Sequence, residues 1–514
     1  MAHDGFHAVI TDLLKAGHAV EAEARLLDRI IRDDRPLWHR LLGGALQQQG
    51  RYRVALAVMR RALARWPHTP DLVRACATAA GDAREDALAA ELWKAAAEGP
   101  DGRPMDWFNL GRARDRLADA DGAEAAYNAA LAGRPDHPRA LYNLANLLVR
   151  RDRPAEAVPL HERHLAVRPD AVQGRINLGL ALRRTGRLDA ARAAYDAALK
   201  RDPDNPEAHV NRATLALLQG RYAAGFAEWE WRRHAADAVR PPWSCPAWEG
   251  GDPAGRTLLL WNEQGLGDAV QFLRHVPSLA AAGARVLVVG PPALVPLAER
   301  VDGVARAVTW KDALADGGII ADAHAPLESL AHLWGPADPH ASWPGPYVTV
   351  PPATLPGAND GRHRVGLVWS GNPDQPANRH RAVPARLLRR IAAHDGVHAF
   401  GLQVGRPAAE AGPGGALADC VTNLAPRLTD LAATAAHVAA LDRVITVDTA
   451  VAHLCGALGR ADWVLLSVDQ PDWRWRLDTA ATPFYPTLDL FRQPAPGAWG
   501  PVIDAVNAAL DAPA

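Results

Sequence analysis

Three loops in the second half of the chain carry residue types that suit anion binding. The first, Glu-Gln-Gly-Leu-Gly-Asp at residues 263–268, lies between a predicted strand and a predicted helix. Gly265 and Gly267 let the backbone approach a ligand closely, and the free amides at a helix start attract an anion. The loop matches neither a Walker loop nor a dinucleotide fingerprint. It therefore suggests an anion site without specifying the ligand.

A second loop, Val-Asp-Thr-Ala-Val-Ala-His, spans residues 447–453, where a predicted strand enters a predicted helix. The amides of Thr449 and Ala450 belong to the start of that helix, which attracts anions through its dipole and free donors. Asp448 has two interpretations. It caps the helix with its side chain, or it takes part in binding beside it.

The third loop follows the first predicted strand of a second α/β lobe, at residues 369–383. It carries Ser370 and Asn372 and ends in Arg379 and Arg381. Ligands of open α/β sheets gather at the carboxyl ends of strands, and an arginine there can neutralise a departing diphosphate. The alternative is a solvated run of charge.

Two further pairs are candidates with simpler explanations beside them. Asp322 and His324 are predicted to end a strand of the first lobe and to face the cleft, and a neutral histidine suits proton abstraction near pH 7. A histidine satisfied by local hydrogen bonds is the competing interpretation. Trp473 and Trp475 suit stacking on a sugar or base, but packing between lobes is the more ordinary role.

These loops need a scaffold of parallel strands. Short apolar runs alternate with helical stretches after residue 255, which is typical of parallel α/β sheets. The alternation restarts once, so two Rossmann-like lobes are predicted at 256–352 and 353–514, after a Pro- and Gly-rich linker at 240–255. The closing helix, within residues 499–510, is expected to pack back across the interface between the lobes. The predicted strands lie within 257–262, 284–290, 304–310, 317–323, 364–371, 398–405, 442–448 and 461–469.

The first 239 residues follow a period of 34. Small and apolar residues recur at matched positions, and a proline closes each unit, as in tetratricopeptide repeats. About seven helix pairs in a right-handed α-solenoid are predicted. Matched positions include Leu42, Leu110, Leu144 and Leu178, then Tyr127, His161 and Tyr195, then Pro67, Pro135, Pro169 and Pro203.

One polar position recurs along this array. Its amides can donate to and accept from a peptide backbone, so they are candidate acceptor-binding residues. Local contacts within the solenoid are an equally good explanation. The pair His161 and His164 falls on packing positions without a third ligand nearby, so no metal site is predicted. The recurring residues are Asn109, Asn143, Asn177 and Asn211.

The composition excludes several classes of function. The chain has 57 basic and 58 acidic residues, and its formal net charge of −1 gives no excess to attract nucleic acid or an anionic membrane. No apolar run is long enough to span a bilayer. The start lacks a secretory signal pattern, and the four cysteines lie far apart, as suits a reducing compartment. A cytoplasmic protein is expected.

Taken together, the motifs resemble bacterial tetratricopeptide-repeat glycosyltransferases whose catalytic half is related to heptosyltransferases. The likeness covers about residues 30–511. It rests on Gly-Leu-Gly-Asp at 265–268, Trp-Ser-Gly-Asn-Pro at 369–373, the segment 447–459, and Pro-Asp-Trp-Arg-Trp-Arg-Leu-Asp at 471–478 with the Phe-Tyr-Pro and Leu-Phe-Arg-Gln that follow. The layout is also similar to O-linked N-acetylglucosamine transferases and flagellin glycosyltransferases, which modify proteins.

The resemblance implies a GT-B fold, a nucleotide-sugar co-substrate and no further cofactor. It also implies a metal-independent, inverting transfer of the sugar to a hydroxyl group. The acceptor is expected to be a protein, flagellin-like or otherwise, that the repeats hold. It implies that Asp268 is the general base and that His453, with the amides near Thr449, binds the donor phosphate. Relatives often carry His-x-Asn-Asp-Arg-Asn-Arg-Ser where this chain has residues 375–382. Both arginines are kept, while the His, the Asp and the Ser are replaced.

A scaffold is the competing hypothesis from a different class. In that case the repeats bind protein partners, and the α/β lobes bind nucleotide sugar weakly or not at all. The altered loop at 375–382 favours this alternative. The sequence specifies neither the sugar and nucleobase nor the oligomeric state.

Overall fold

The computed structural model describes residues 2–241, 243–315, 319–335, 338–357, 360–469, 472–477 and 479–512. They form two compact units, one that ends at Pro203 and one that begins at Asp204. Within its described part, the first unit consists of helices and turns. The second unit adds two β-sheets to a helix pair that continues the repeat pattern.

In the described residues of the first unit, twelve helices pack against one another in chain order. Proline stands at the start of several of them, where its missing N–H is not needed and its fixed φ suits the helix. The predicted array of helix pairs is confirmed. The helices are α1 Ala2–Lys15, α2 Ala19–Arg32, α3 Pro36–Gln48, α4 Tyr52–Arg65, α5 Pro70–Asp82, α6 Asp86–Glu98, α7 Pro104–Arg116, α8 Ala120–Gly133, α9 Pro138–Arg150, α10 Pro154–Val167, α11 Val172–Arg184 and α12 Leu188–Leu199.

A recurring glycine and tyrosine explain how closely the helices of one pair approach. A Cβ on Gly111 would lie 2.6 Å from the ring of Tyr127, and a Cβ on Gly179 would lie 2.4 Å from the ring of Tyr195. Both tyrosines are fully buried. The missing side chain on one helix makes room for a ring on the next, which is why the period carries both residue types.

The second unit opens with helices α13 Pro206–Leu218 and α14 Tyr222–Trp229, which we call the adaptor pair, and a 3₁₀ helix at Glu230–His234. Phe226 of α14 is buried and packs edge-on against Phe272 and Trp473, with ring centroids 6.2 and 5.6 Å apart. The sequence pattern runs the array to residue 239. In the structure its last pair shares a core with the α/β part.

Within the described part of the chain, the first sheet has four parallel strands in the order β3-β2-β1-β4. Its central strands are buried apolar runs, as expected for a sheet covered on both faces. The strands are β1 Thr257–Trp261, β2 Arg285–Gly290, β3 Val304–Thr309 and β4 Ala323–Pro326, and the helices are α15 Leu266–Phe272, α16 Val276–Ala281, α17 Val295–Ala298, α18 Trp310–Ala313 and α19 Leu330–Leu333.

The position predicted for the fourth strand is wrong. The sequence places it at residues 317–323, of which 317 and 318 lie outside the described residues. Ile319 packs on the sheet, whereas Ile320 is 88% exposed. The strand begins at Ala323, where backbone pairing with β1 starts. Two adjacent isoleucines looked like a buried strand, although one of them faces solvent.

Among the residues that the structure describes, the second sheet has seven strands in the order β10-β11-β9-β8-β5-β6-β7, all parallel except β10. The strands β7, β10 and β11 were not predicted. The strands are β5 His363–Val368, β6 Val397–Gly401, β7 Val421–Asn423, β8 Arg443–Val447, β9 Trp463–Leu466, β10 Ala481–Thr482 and β11 Tyr485–Arg492, and the helices are α20 Asn378–Arg381, α21 Ala385–Ala392, α22 Leu431–Ala440, α23 Ala450–Ala457 and α24 Trp499–Leu510.

The closing helix α24 does not take the expected place across the two lobes. Its buried face, which includes Trp499 and Ile503, joins the core of the second sheet together with Leu388 and Ile391 of α21. The prediction of a helix was right and that of its packing partner was wrong. The pattern of apolar residues fixes which face is buried, but it does not specify the surface that covers it.

Candidate functional site

The first turns of α15 and α23, one from each sheet, meet. A Cβ on Gly267 would lie 2.7 Å from the ring of His453 and 3.4 Å from the Cα of Ala450. A larger residue at position 267 would therefore push the two helix starts apart. Two of the predicted loops, 263–268 and 447–453, are thus brought together.

Asp268 lies in the first turn of α15 and makes two contacts. One carboxylate oxygen accepts a hydrogen bond from the amide of Gly265 at 3.0 Å, and the other accepts from a guanidinium nitrogen of Arg474. The side chain keeps 27% of its surface exposed. Asp268 is therefore both a helix cap and one half of an ion pair that joins the two sheets.

Arg474 was missed by the sequence analysis. Its guanidinium donates to both carboxylate oxygens of Asp472, at 2.9 and 3.1 Å, and to the side chains of Asp268 and Gln271. It lies 4.1 Å from the ring of Trp473 and is 8% exposed. The sequence signal that could have identified Arg474 is the segment Asp-Trp-Arg-Trp at 472–475, of which the sequence analysis considered only the tryptophans.

The structure corrects the capping role considered for Asp448. Thr449 is the N-cap of α23, and its hydroxyl accepts from the amide of Val451 at 3.3 Å. The carbonyl of Asp448 accepts instead from Arg381 Nη1 at 3.0 Å, which connects the third loop to the second. Burial and repulsion from Asp472 raise the pKa of Asp448 to about 6.

His453 is buried between the two helix starts. Its Nδ1 lies 3.0 Å from the hydroxyl of Tyr485. Burial first, and then the nearby Arg474 and Arg274, lower the pKa of His453 well below its usual value. The ring is therefore neutral at pH 7 and fixes the packing of α15 on α23, where the resemblance implies a phosphate contact.

The third loop is held by a buried amide network. The side chain of Asn378 accepts from the amide of Gly371 at 2.6 Å and donates to Ser370 Oγ at 3.0 Å. Gln403 accepts from the amide of Ser370 at 2.9 Å. Ser370 is therefore a buried structural group, and the sequence analysis missed both amides that hold it.

The exposed part of the third loop carries the other two candidates. The side chain of Asn372 accepts from the amide of Asp374 at 3.0 Å and so shapes its own turn. Arg379 is exposed and donates to the ring of His380 at 3.1 Å. Of the two arginines in this loop, Arg381 faces the second loop, through its contact with residue 448.

Asp322 and His324 do not end a strand at the cleft. Asp322 precedes β4 and accepts from the amide of Thr257 at 2.7 Å, so it lies at the amino edge of the sheet. His324 is the second residue of β4, and its Nδ1 accepts from the indole of Trp261 at 3.2 Å. Burial lowers the pKa of His324. The geometry therefore supports the interpretation that His324 is satisfied by local hydrogen bonds. The sequence analysis had placed this histidine at the carboxyl edge of the sheet because it predicted the strand several residues too early.

Trp473 and Trp475 pack in the interior. They are 5% and 1% exposed, and Trp473 meets the rings of Phe226 and Phe484. Trp475 lies 5.6 Å from the ring of His453. Their predicted packing role is confirmed.

A second charged cluster lies where β1 and β4 end, and the sequence analysis missed it. Arg232 donates to Glu230 at 2.6 Å, to Glu263, and to Ser329 Oγ at 2.8 Å. Glu328 is 2% exposed, and within the described chain neither of its carboxyl oxygens has a hydrogen-bond partner. Burial and the charge of Glu263 raise the pKa of Glu328 to about 8.

This cluster lies where binding sites of α/β folds are usually found. Glu328 lies two residues after β4, at the carboxyl edge of the sheet, where ligands of α/β folds gather. A groove of about 690 Å³ opens beside the cluster. Its lining includes Glu207, Val210, Arg232, Asp237 and Glu263.

Two of the recurring asparagines make local contacts in the first unit. Asn143 donates to the hydroxyl of Tyr127 at 3.4 Å. Asn177 donates to Asn146 at 2.8 Å and to the hydroxyl of Tyr142 at 3.1 Å. Both residues are half-buried, so part of their surface remains exposed.

The other two asparagines are likewise half-buried. Asn109 lies on α7, and Asn211 lies on α13 in the second unit, where it donates to the carbonyl of Glu207 at 2.9 Å. A cavity of about 280 Å³ lies beside Asn143 in the array. Its lining includes Arg112, Asp115, Tyr127, Asn146 and Arg150.

Comparison with known families identifies the helical part. The tetratricopeptide repeat model matches residues 10–70, 108–174 and 176–232. The chain therefore carries tetratricopeptide repeats, whose stacked units create binding surfaces for protein partners. The match includes the adaptor pair, which retains the repeat sequence.

Comparison with individual proteins gives more distant likenesses. Protein FlbA of Caulobacter vibrioides is 26% identical over 344 residues, which are 58% of this chain and 54% of that protein. The chain thus spans about half the length of the curated relative that it matches.

Among solved structures, a chain of MamA from Desulfovibrio magneticus that begins at its residue 41 is 20% identical with a TM-score of 0.31, over 33% of this chain and 97% of that one. The Cut9-Hcn1 hetero-tetramer structure has a chain 15% identical with a TM-score of 0.35, over 44% of this chain and 45% of that one. In the part of the chain that the structure describes, no helix has the length and apolar character to cross a bilayer.

Proposed function

We propose that this protein is a cytoplasmic glycosyltransferase of the two-lobed GT-B type. It moves a sugar from a nucleotide-sugar donor to a hydroxyl group on a protein that the repeats hold, for example a flagellin-like acceptor, without a metal or a further cofactor. One observation carries the proposal: two loops with anion-binding character, one from each sheet, meet at Gly267 with Arg381 and Arg474 beside them.

The chemistry follows from these positions. The acceptor oxygen attacks the anomeric carbon of the sugar while the bond from that carbon to the nucleotide phosphate breaks, and the configuration inverts. The hydroxyl proton passes to Asp268. The electron pair of the broken bond stays on the phosphate, where Arg381 and the amides at the start of α23 stabilise the charge.

The repeats supply the second half of the proposal. Tetratricopeptide arrays bind proteins, and an array joined to a catalytic unit raises the local concentration of a bound acceptor. The recurring asparagines are half-buried and therefore partly exposed, and their amides can pair with a peptide backbone, which supports a role in that binding.

A thermal-shift screen with UDP, GDP, ADP and CMP sugars tests the donor site. A ligand at a hundred times its Kd stabilises the folded protein by about 2.7 kcal/mol. One nucleotide class should raise the Tm selectively, and R381A should reduce the shift because a charge-assisted contact worth about 1 to 3 kcal/mol is lost.

The matched control for R381A is R390A. Arg390 is an exposed arginine that pairs with Asp504 on α24, so its removal should leave the shift unchanged. A folded protein that responds to none of the nucleotide sugars would contradict the proposed activity.

A scaffold is the second candidate. The matched repeats favour protein binding in either case, and the replacements in residues 375–382 favour a weakened donor site. A scaffold would retain its protein partner in pull-down while releasing no nucleotide from any sugar donor in its presence. Nucleotide release that requires both donor and partner would favour the enzyme.

A further inference from the structure

Arg474 lies at the centre of the candidate site, and each of its three guanidinium nitrogens donates a hydrogen bond. The side chain reaches from the loop before β10 to Asp268 and Gln271 of α15, and it also holds Asp472 of its own loop. It is 8% exposed. Its guanidinium group can bind an anion, and in this structure it binds the carboxylates of Asp268 and Asp472.

More carboxyl groups surround this guanidinium than its single positive charge can neutralise. Asp472, Asp268 and Asp448 all act on the charge of Arg474. Its chain neighbour Trp475 lies 5.6 Å from the ring of His453, and its partner Asp268 directly follows Gly267, which packs on the same ring, so Arg474 lies near the start of α23. The donor phosphate of the proposed reaction is expected at that helix start.

Asp268 has both carboxylate oxygens engaged while this contact lasts. One accepts from the amide of Gly265 and the other from Arg474, so the oxygen bound to Arg474 is not available to an acceptor hydroxyl. A diphosphate has more negative charge and more acceptor oxygens than one carboxylate, and arginine binds it in a two-pronged manner. The two anions are therefore natural competitors for one side chain.

We propose that Arg474 is a ligand of the donor's diphosphate and that, until a donor arrives, it holds Asp268 in an ion pair that keeps this carboxylate from the acceptor hydroxyl. The proposal rests on the proposed function. Donor binding then does two things at once: it neutralises the leaving group and frees the base. The acceptor proton is taken only when a sugar is present to be transferred.

A purely structural contact that ties the two sheets together is the alternative, and the two explanations differ in one measurable respect. If diphosphate and Asp268 compete for Arg474, removal of the Asp268 charge should strengthen diphosphate binding. If the contact is only structural, the same change should leave that binding unchanged or weaken it.

Isothermal titration of the full chain with inorganic pyrophosphate makes this measurement without knowledge of the nucleobase. We expect R474Q to bind pyrophosphate at least about tenfold more weakly and D268N to bind it several-fold more tightly than the wild type. The control is R460Q. Arg460 pairs with Asp462 at 3.0 Å elsewhere in the second sheet, so pyrophosphate binding should not change.

The outcomes separate this inference from the proposed function. If the wild type responds to a nucleotide sugar while D268N and R474Q both bind pyrophosphate like the wild type, Arg474 is a structural clamp and the glycosyltransferase proposal stands. If the wild type binds neither pyrophosphate nor any nucleotide sugar, both fail. If R474Q does not fold, R474K replaces it, because it keeps the charge and loses the fork, and D268N remains decisive.

Discussion

The helical array and the α/β unit use buried charge in different ways. In the array, the buried Asp106 is fully matched: it accepts from Arg74 Nε at 3.0 and 3.1 Å and from the amide of Arg103 at 3.1 Å. In the α/β unit, Glu328 is buried without a hydrogen-bond partner among the described residues, and Arg474 is surrounded by more carboxyls than it can neutralise. The matched pair of Asp106 and Arg74 holds helices together. Glu328, whose raised pKa favours the neutral carboxyl, and Arg474, which faces several carboxylates, are perturbed ionisable groups of the kind that cluster at functional sites.

The polar contacts of the array also follow its period. Arg116 pairs with Asp86 at 2.6 Å, and Arg184 pairs with Asp152 at 2.8 Å, so each joins one repeat to the preceding one. These pairs are partly exposed and contribute little individually. The comparison therefore predicts that changes in the array alter stability or partner capture, and that changes at the α/β charges alter rate or pH dependence.

The largest effect is expected for D268N. Asparagine keeps most of the capping ability toward Gly265 but cannot accept a proton, so the transfer rate should fall at least about a hundredfold. Stability should change by less than about 2 kcal/mol, since Arg474 retains Asp472. Turnover with a saturating donor and acceptor, together with urea unfolding, separates the two effects.

The matched control for D268N is D322N. Asp322 also accepts from a backbone amide, that of Thr257, but at the amino edge of the sheet. Its replacement should leave turnover unchanged. Near-normal turnover in D268N would mean that Asp268 is structural, and the distinction between the two regions would then lose its main support.

The next effect concerns the pH dependence of stability. In the folded protein, burial and then Glu263 raise the pKa of Glu328 from 4.5 to about 8, so folding favours the protonated carboxyl. The stabilisation this gives is complete below pH 4.5 and is lost as the pH rises through 8. Glutamine resembles the protonated form. Relative to the wild type, E328Q should therefore gain at least about 2 kcal/mol in free energy of unfolding between about pH 5 and pH 8.

Urea unfolding at several pH values measures this difference. E249Q, at an exposed position, is the control and should show no comparable divergence from the wild type. Parallel stability curves for E328Q and the wild type would mean that Glu328 is ionised in the folded protein, with a partner that compensates its charge.

A smaller effect is expected in the array. G179A introduces a methyl group 2.4 Å from the ring of Tyr195 and should destabilise the protein by about 1 to 3 kcal/mol. G44A serves as the matched change, because a Cβ on Gly44 of α3 meets no atom within 4 Å. It should stabilise by up to about 1 kcal/mol. Equal effects of the two changes on urea unfolding would contradict the packing role assigned to the recurring glycine.

The smallest effect per substitution concerns the recurring asparagines. Each amide contact with a peptide backbone is worth about 1 kcal/mol, so single alanine variants are close to the limit of detection. The quadruple variant of Asn109, Asn143, Asn177 and Asn211 should lose most modification of the protein acceptor while donor hydrolysis without acceptor stays the same. A folded quadruple variant that modifies its acceptor at the original rate would assign these amides to packing alone.

The sequence predicted the array and most of the parallel strands because both depend on repeated local patterns. The period of 34 marks Gly179 and Tyr195 as matched packing positions, and the two residues do pack on each other. Continuous apolar runs mark the positions of β1, β2 and β8. Short or half-exposed strands such as β7 and β10 give too little pattern to be detected. The place of α24 also escaped prediction, since an apolar face does not identify its partner.

The candidate site was only half predictable, for a related reason. The glycines and helix starts of the first two loops follow local rules, and the structure brings them together. Arg474 and Asp268 are 206 residues apart in the chain, and their contact depends on how two sheets meet. Glu328 was overlooked because its strand was placed several residues too early. The principle that ligands gather at the carboxyl ends of strands would have found it once that strand was correctly placed.

The position of the adaptor pair has an evolutionary consequence. The compact division falls before Asp204, and Phe226 and Arg232 contact residues of the α/β part. Whole 34-residue units can therefore be duplicated or deleted before Asp204 without altering the sequence on which the sheets pack. Repeat number and the architecture of the α/β part become separately heritable characters. A lineage could change the length of its repeat array as its protein partner changed, while α13 and α14 descended with the sheets as part of the same inherited unit.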